Sequence, residues 1–230
     1  MKGGHGSSTQ DFVHYAFYKC RPEWRLLPDG QKEVGAAEFL GAVDRFRDTM
    51  MMETYSTLGL RTDADFLIWK VCEELPPLLD MADALNRTGL GRYLDLRHSL
   101  LALTRRSVYT REEPLEGTFK VDPGEGTYLF VYPFVKTREW YALPLDTRRR
   151  MMGEHIRIGH EYPDVQLHTA YSFGLDDQEF VVSFLTDHPK RFQELVMKLR
   201  DTEASRYTLR DTPIFTCVKR PLPGIIRSLG

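Results

Sequence analysis

The chain has only three cysteines, Cys20, Cys72 and Cys217, an odd number set far apart. That excludes a disulfide framework and a CxxC metal site, and it points to a reducing cytoplasm. No apolar run reaches the length that spans a bilayer. The polar opening MKGGHGSSTQ lacks the apolar core of a secretory leader and reads as a tail. A formal charge of −2 offers no basic surface for nucleic acid. The GxSxG elbow, the Walker loop, GxGxxG and HExxH are missing as well, which removes the best-marked hydrolases, nucleotide binders and zinc proteases. What remains is ordinary globular composition, 42% hydrophobic and 28% charged, in 230 residues. That length suits one large domain or two small ones.

Hydrophobic periodicity gives the chain two halves of the same plan. Residues 13–20 read as a strand, 34–50 as an amphipathic helix with Leu40, Val43 and Phe46 on one face, and 52–58 and 66–71 as strands. A helix carrying Leu78, Met81, Ala82 and Leu85 follows, then a strand over 100–109. The second half repeats the order. A strand at 128–135 leads to a helix at 146–160 and strands at 165–173 and 179–185. A helix opening at Pro189, with Phe192, Leu195, Val196 and Leu199 inward, precedes a strand at 214–217. Each half is βαββαβ, the ferredoxin-like unit. Gly59-Leu60 and Gly174-Leu175 fall at the same place in the two halves, each before a polar turn and a hydrophobic strand. The expected class is α+β, two tandem ferredoxin-like modules forming a dimeric α+β barrel within one chain. The halves span 1–112 and 127–230, joined by a linker at 113–126 within a Glu-, Gly- and Pro-rich stretch.

Chemistry concentrates in the second half. On the strand at 128–135, Tyr128, Phe130, Tyr132 and Phe134 share one face and Leu129, Val131 and Val135 the other. Pro133 cannot donate to a ladder, which favours an irregular position and a pocket wall there. Lys136 closes the strand, either as a solvated cation or as one held at a pocket mouth over apolar surface. Trp140 and Tyr141 supply flat apolar area. In the following helix Met151, His155 and Ile158 fall on one face, so His155 points inward among apolar neighbours, with His160 the competing candidate. Neither histidine has a second ligand at zinc spacing, which favours single axial ligation of a haem-type iron.

Five segments, YPFVKTREWYALP, RRRMMGEH, EYPDV, FGLDD and LRDTEAS, together resemble the chlorite dismutase-like haem proteins, and within them the coproheme decarboxylases of bacterial haem synthesis. The resemblance covers residues 10–217 and implies a ring of subunits, usually five. It implies His155 as the axial iron ligand, Glu203 as a carboxylate on that ligand's other ring nitrogen, and Tyr132 as a radical-forming tyrosine. It further implies Lys136 beside the reacting propionate and Ser205 as a propionate contact. Chlorite-degrading members carry a distal arginine seven residues before the Gly-Leu-Asp-Asp turn, and here that position is Leu167. They also lack a tyrosine where this chain has Tyr132. Some decarboxylases use a distal glutamine at the Leu167 position, and others a distal histidine elsewhere, where this chain reads Leu103-Thr104-Arg105-Arg106-Ser107.

The activity the resemblance implies is peroxide-dependent decarboxylation of two propionates of iron coproporphyrin III (coproheme) to vinyl groups, giving haem b. Hydrogen peroxide is the co-substrate, and a coproporphyrin ferrochelatase is the implied supplier. The rival readings of the same residues are a non-catalytic haem-binding or delivery protein, and a chlorite dismutase-like peroxidase.

Overall fold

The computed structural model describes residues 10–105, 107–109 and 126–230. In the first half, β1 (Phe12–Cys20) leads to α1 (Asp29–Asp44), β2 (Met51–Ser56), β3 (Phe66–Cys72), α2 (Pro76–Asn86) and β4 (Leu94–Thr104). In the second, β5 (Tyr128–Lys136) is followed by the short α3 (Arg138–Ala142), then α4 (Leu145–His160), β6 (Gln166–Tyr171) and β7 (Phe180–Thr186). α5 (Pro189–Arg200), β8 (Thr208–Arg210), β9 (Phe215–Lys219) and a terminal α6 (Leu222–Arg227) complete the chain. Local chemistry marks the helix starts. Pro76 and Pro189 sit in first turns, where a missing N–H costs nothing, and Asp29 and Asp146 place negative charge at the positive ends of α1 and α4. The helix expected at 34–50 begins earlier, after Pro28, and stops at Asp44. Phe46 lies past its end yet still packs on the core.

The nine strands of the described residues form one sheet in the order β7-β6-β4-β1-β3-β2-β9-β5-β8, with every pairing between them antiparallel. β7 also bonds to β5, so the pairing returns to its starting strand. Side chains from every strand except β8 meet in one shared core. They include Tyr15 and Phe17, Tyr55, Leu67 and Trp69, Leu100, Leu129 and Val131, Ala170, Leu185 and Phe215. The turns after β2 and β6 are built alike. Leu60 N–H bonds to the Thr57 carbonyl and Leu175 N–H to that of Ser172. The glycines between have φ of 79° at Gly59 and 73° at Gly174, a left-handed backbone that glycine adopts without strain.

The outer faces of the two halves differ. On the first, Ala16, Tyr18, Phe66 and Ile68 are covered by α1 and α2, and α6 adds Leu222, Ile225, Ile226 and Leu229. That side is filled. On the second, Phe130 and Phe184 pack under Ile158 of α4 and Phe192 and Leu195 of α5, and no third helix among the described residues joins them. The neighbouring part of the same face, toward β6, stays open.

Candidate functional site

The open face lies across three strands in register. Phe130, Phe184 and Leu167 form one cross-strand row, Tyr132, Val182 and Thr169 the next, and Phe134, Phe180 and Tyr171 a third. Adjacent strands are about 4.8 Å apart, so the face is about 10 Å wide between β5 and β6. Leu167 is 51% exposed, Thr169 is exposed, and Tyr132, Phe134, Tyr171, Phe180 and Val182 are half-buried. An exposed Leu167 beside half-buried aromatic side chains in mid-strand makes this face a candidate binding surface.

Above the face runs α4. His155 is partly buried on it, and its Nδ1 lies 3.4 Å from Thr202 Oγ1. That hydroxyl donates its own hydrogen to the Leu199 carbonyl at 2.7 Å, so toward the ring it can only accept. With the hydroxyl committed to Leu199, this contact favours the tautomer with hydrogen on Nδ1, which leaves the Nε2 lone pair for a ligand. Burial, and secondarily the charge of Lys136, pulls the imidazole from its ordinary 6.5 down to about 4, so it is neutral at physiological pH. A neutral, oriented imidazole is what an axial metal ligand requires. His160, by contrast, is exposed at the end of the helix. Among the described residues there is no cluster of three or more His, Cys, Asp or Glu that could hold a metal ion.

Lys136 is buried where β5 ends. Its Nζ donates to the Ala204 carbonyl at 2.8 Å and stands over the Trp140 ring at 4.7 Å and the Phe134 ring at 5.2 Å. Desolvation lowers it from 10.5 to about 8, with Glu179 opposing, so it is mostly charged at neutral pH while two of its three hydrogens stay free. Trp140 is 1% exposed among Tyr109, Tyr207 and Met151. It therefore floors the lysine rather than presenting a free face to a ligand. Tyr132 stacks on Phe184 at 6.1 Å, and burial, then the charge of Asp211, pushes its phenol well above the usual tyrosine range.

Glu203 and Ser205 both engage groups within the protein. Glu203 turns to Arg150 at 2.9 Å, and the position on the His155 ring belongs to its neighbour Thr202. The Ser205 hydroxyl lies within hydrogen-bond reach of the Arg200 and Thr202 carbonyls, at 2.6 and 2.8 Å, bracing the turn that carries Thr202 and Ala204. Arg105 lies over the Tyr171 ring at 5.9 Å, on the rim of the open face. Arg106 and the linker at 113–125 lie outside the described residues.

Sequence reading passed over Thr202, the Ala204 carbonyl and Glu179, which accepts from the Tyr141 hydroxyl at 2.6 Å and from Lys136 N–H at 2.8 Å. It also gave no role to Arg148, whose Nε is buried without a partner among the described residues. Only Arg148 left a signal, its place seven residues before His155 on the same helix. A bare ring nitrogen, a flat apolar face and cations at one rim fit a planar metal macrocycle with acidic side arms.

A family model described as chlorite dismutase matches residues 32–220. A curated coproheme decarboxylase of Mycolicibacterium smegmatis is 36% identical over 176 residues, 76% of this chain and 75% of that protein. Among solved structures, a variant of the chlorite dismutase of Candidatus Nitrospira defluvii superposes with a TM-score of 0.87 at 25% identity, over 95% of this chain and 94% of that one. A haem-binding protein of Thermus thermophilus superposes at 0.85 with 24% identity, again over 95% and 94% of the two chains, and shares the fold.

Proposed function

Because the chain belongs to the chlorite dismutase family, we propose that it is a peroxide-dependent coproheme decarboxylase, turning two propionates of iron coproporphyrin III into vinyl groups to give haem b. The single observation that carries this is that Tyr132 of β5 packs in one cluster with Ile158, one turn from His155 on α4, while the Lys136 charge at the end of β5 is felt at the His155 ring. The identity to a coproheme decarboxylase over three quarters of both chains supports the choice of reaction.

Each chain residue has a definable task. His155 would hold the iron through Nε2, with Thr202 orienting the ring. Bound iron porphyrin, with hydrogen peroxide as oxidant, supplies the oxidising equivalents. Tyr132, protonated at neutral pH, gives up an electron and its phenolic proton, then takes a hydrogen atom from the β-carbon of a propionate. The carbon–carboxylate bond breaks, carbon dioxide leaves, and the second electron passes to the oxidant. Per arm, one propionate, one peroxide and one proton become one vinyl group, one carbon dioxide and two waters. Lys136 holds the reacting carboxylate with its two free hydrogens, so that orientation rather than collision sets the rate. Leu167, facing the opposite side of the slot, offers no charge to stabilise an oxyanion, which disfavours chlorite as substrate.

The returning strand order, the repeated turn and the shared eight-strand core support reading the fold as two ferredoxin-like modules closed into a barrel, with halves at 1–112 and 127–230. Filling of the first outer face by α6 explains why the second half alone keeps a slot. No helix among the described residues is long and apolar enough to cross a membrane. Three free cysteines support a cytoplasmic setting. A five-membered ring of copies and a coproporphyrin ferrochelatase as supplier rest on the family resemblance.

The test is a titration of the protein with iron coproporphyrin III, then peroxide, then mass analysis of the porphyrin. A Soret shift followed by stepwise loss of two carboxyl groups supports the proposal. Binding without mass change makes this a haem carrier, and oxygen release from chlorite makes it a dismutase.

A further inference from the structure

Arg148, Arg149 and Arg150 open α4 as a run of like charge, and two of them are accounted for. Arg149 donates Nε to the Val108 carbonyl at 3.4 Å and pairs with Asp146 at 3.6 Å, while Arg150 pairs with Glu203 at 2.9 Å. Arg148 makes no ion pair among the described residues, and its Nε is buried with no acceptor. A buried guanidinium hydrogen left unmet is costly, and one in the first turn of a helix also opposes the macrodipole. Helix stability therefore does not explain its presence.

Its position does. Arg148 and His155 are seven residues apart, two turns on the same face of α4, so their Cα atoms are about 10.5 Å apart along the axis. A macrocycle held by His155 would carry its rim and acid arms out to about that remove. The nearby carboxylate is already committed. Glu179 Oε2 takes the Tyr141 hydroxyl and the Lys136 N–H, and the charge of Arg148 is felt at Tyr141 without an ion pair forming. Lys136 and Arg105 thus stand at one end of the slot, with Arg148 near enough to Tyr141 for its charge to be felt there, and Phe130, Phe184, Ile158 and Tyr162 close the other.

We propose that Arg148 is a substrate-recognition residue, holding one carboxylate arm of the macrocycle through Nε and its neighbouring guanidinium hydrogens. Planar, fork-shaped donation suits a carboxylate better than a point charge does. The proposal rests on the decarboxylase reading of the same slot and adds to it, besides Lys136, a second residue that favours an acid-bearing porphyrin over a neutral one.

The experiment compares wild type and Arg148→Met in Soret titrations with two iron porphyrins, coproporphyrin III and its tetramethyl ester, which has the same ring and no acid. The variant is expected to bind the acid about tenfold or more weakly, as loss of a charged hydrogen bond implies, and the ester as wild type does. Arg148→Lys is expected to recover part of the loss and carries the comparison if the methionine variant does not fold. Unchanged affinity for the acid, or equal loss for acid and ester, overturns the assignment. If wild type binds neither porphyrin, the decarboxylase reading itself falls.

Discussion

The Nδ1 atom of His155 faces the Thr202 hydroxyl at 3.4 Å, and because that hydroxyl donates to Leu199 at 2.7 Å, Thr202 favours Nε2 as the ring nitrogen left for a metal. The contact is long, so it orients the ring more than it strengthens it. Thr202→Val is expected to lower porphyrin affinity about 10- to 100-fold, the usual cost of losing a partner behind a ligand. His155→Ala is expected to abolish the ligated Soret spectrum. An unchanged spectrum in the alanine variant transfers the ligand to His160.

Acid sensitivity follows from the same ring. The folded imidazole titrates near about 4 against an ordinary 6.5, so the unfolded state takes up the proton first as pH falls. His155's contribution to stability is therefore full above 6.5 and is lost between 6.5 and about 4. Before metal binding, proton competition for Nε2 starts only toward the lower end of that window. The Soret band of the loaded protein is expected to hold to below about pH 5. Its loss between pH 6 and 7 contradicts the buried neutral imidazole.

Lys136 sets the alkaline side. With its ammonium lowered to about 8, the charge that holds a carboxylate disappears as pH rises through that value. kcat/KM is expected to fall above about pH 8 in wild type, and Lys136→Arg is expected to move that fall to higher pH. A profile flat to pH 10 in the wild type removes Lys136 from substrate binding.

Leu167 offers the converse experiment. At 51% exposure it can be changed with little effect on folding. Leu167→Arg places a donor on the open side of the slot and is expected to tighten cyanide binding to the loaded protein about tenfold. Equal cyanide affinity in the two proteins shows that residue 167 does not overlook the metal.

The plugging of the first half is separable from chemistry. Ile225 is 1% exposed within the α1–α2–α6 core, and Ile225→Ala is expected to cost about 2–4 kcal/mol. Denaturant unfolding measures the loss. Porphyrin affinity is expected to stay as in wild type, because no side chain of α6 enters the second-half cluster.

Much of this was readable in the chain because the signals were local. Alternation along β5 assigned Phe130 and Tyr132 to one face and Leu129 and Val131 to the other, and the two glycine turns were found by their matching place. The spacing of Met151, His155 and Ile158 pointed the histidine inward. Burial of Trp140 under Lys136 was not legible, since an apolar ring covers a core or a ligand equally well from sequence. The exchange of Glu203 for Thr202 beside the imidazole depends on the turn after α5, where Glu203 is drawn outward to Arg150. The strand expected at 100–109 runs instead over Leu94–Thr104, because its polar first half, Asp95 to Ser99, pairs with β1 across a bulge that periodicity does not register.

The central claim is that a phenol on β5 does the oxidation while an imidazole on α4 holds the metal. Tyr132→Phe, loaded with iron coproporphyrin III and given peroxide, tests it by porphyrin mass. The account requires a wild-type Soret spectrum before peroxide and an undiminished substrate mass after it. A phenylalanine variant that forms haem b at the wild-type rate contradicts it.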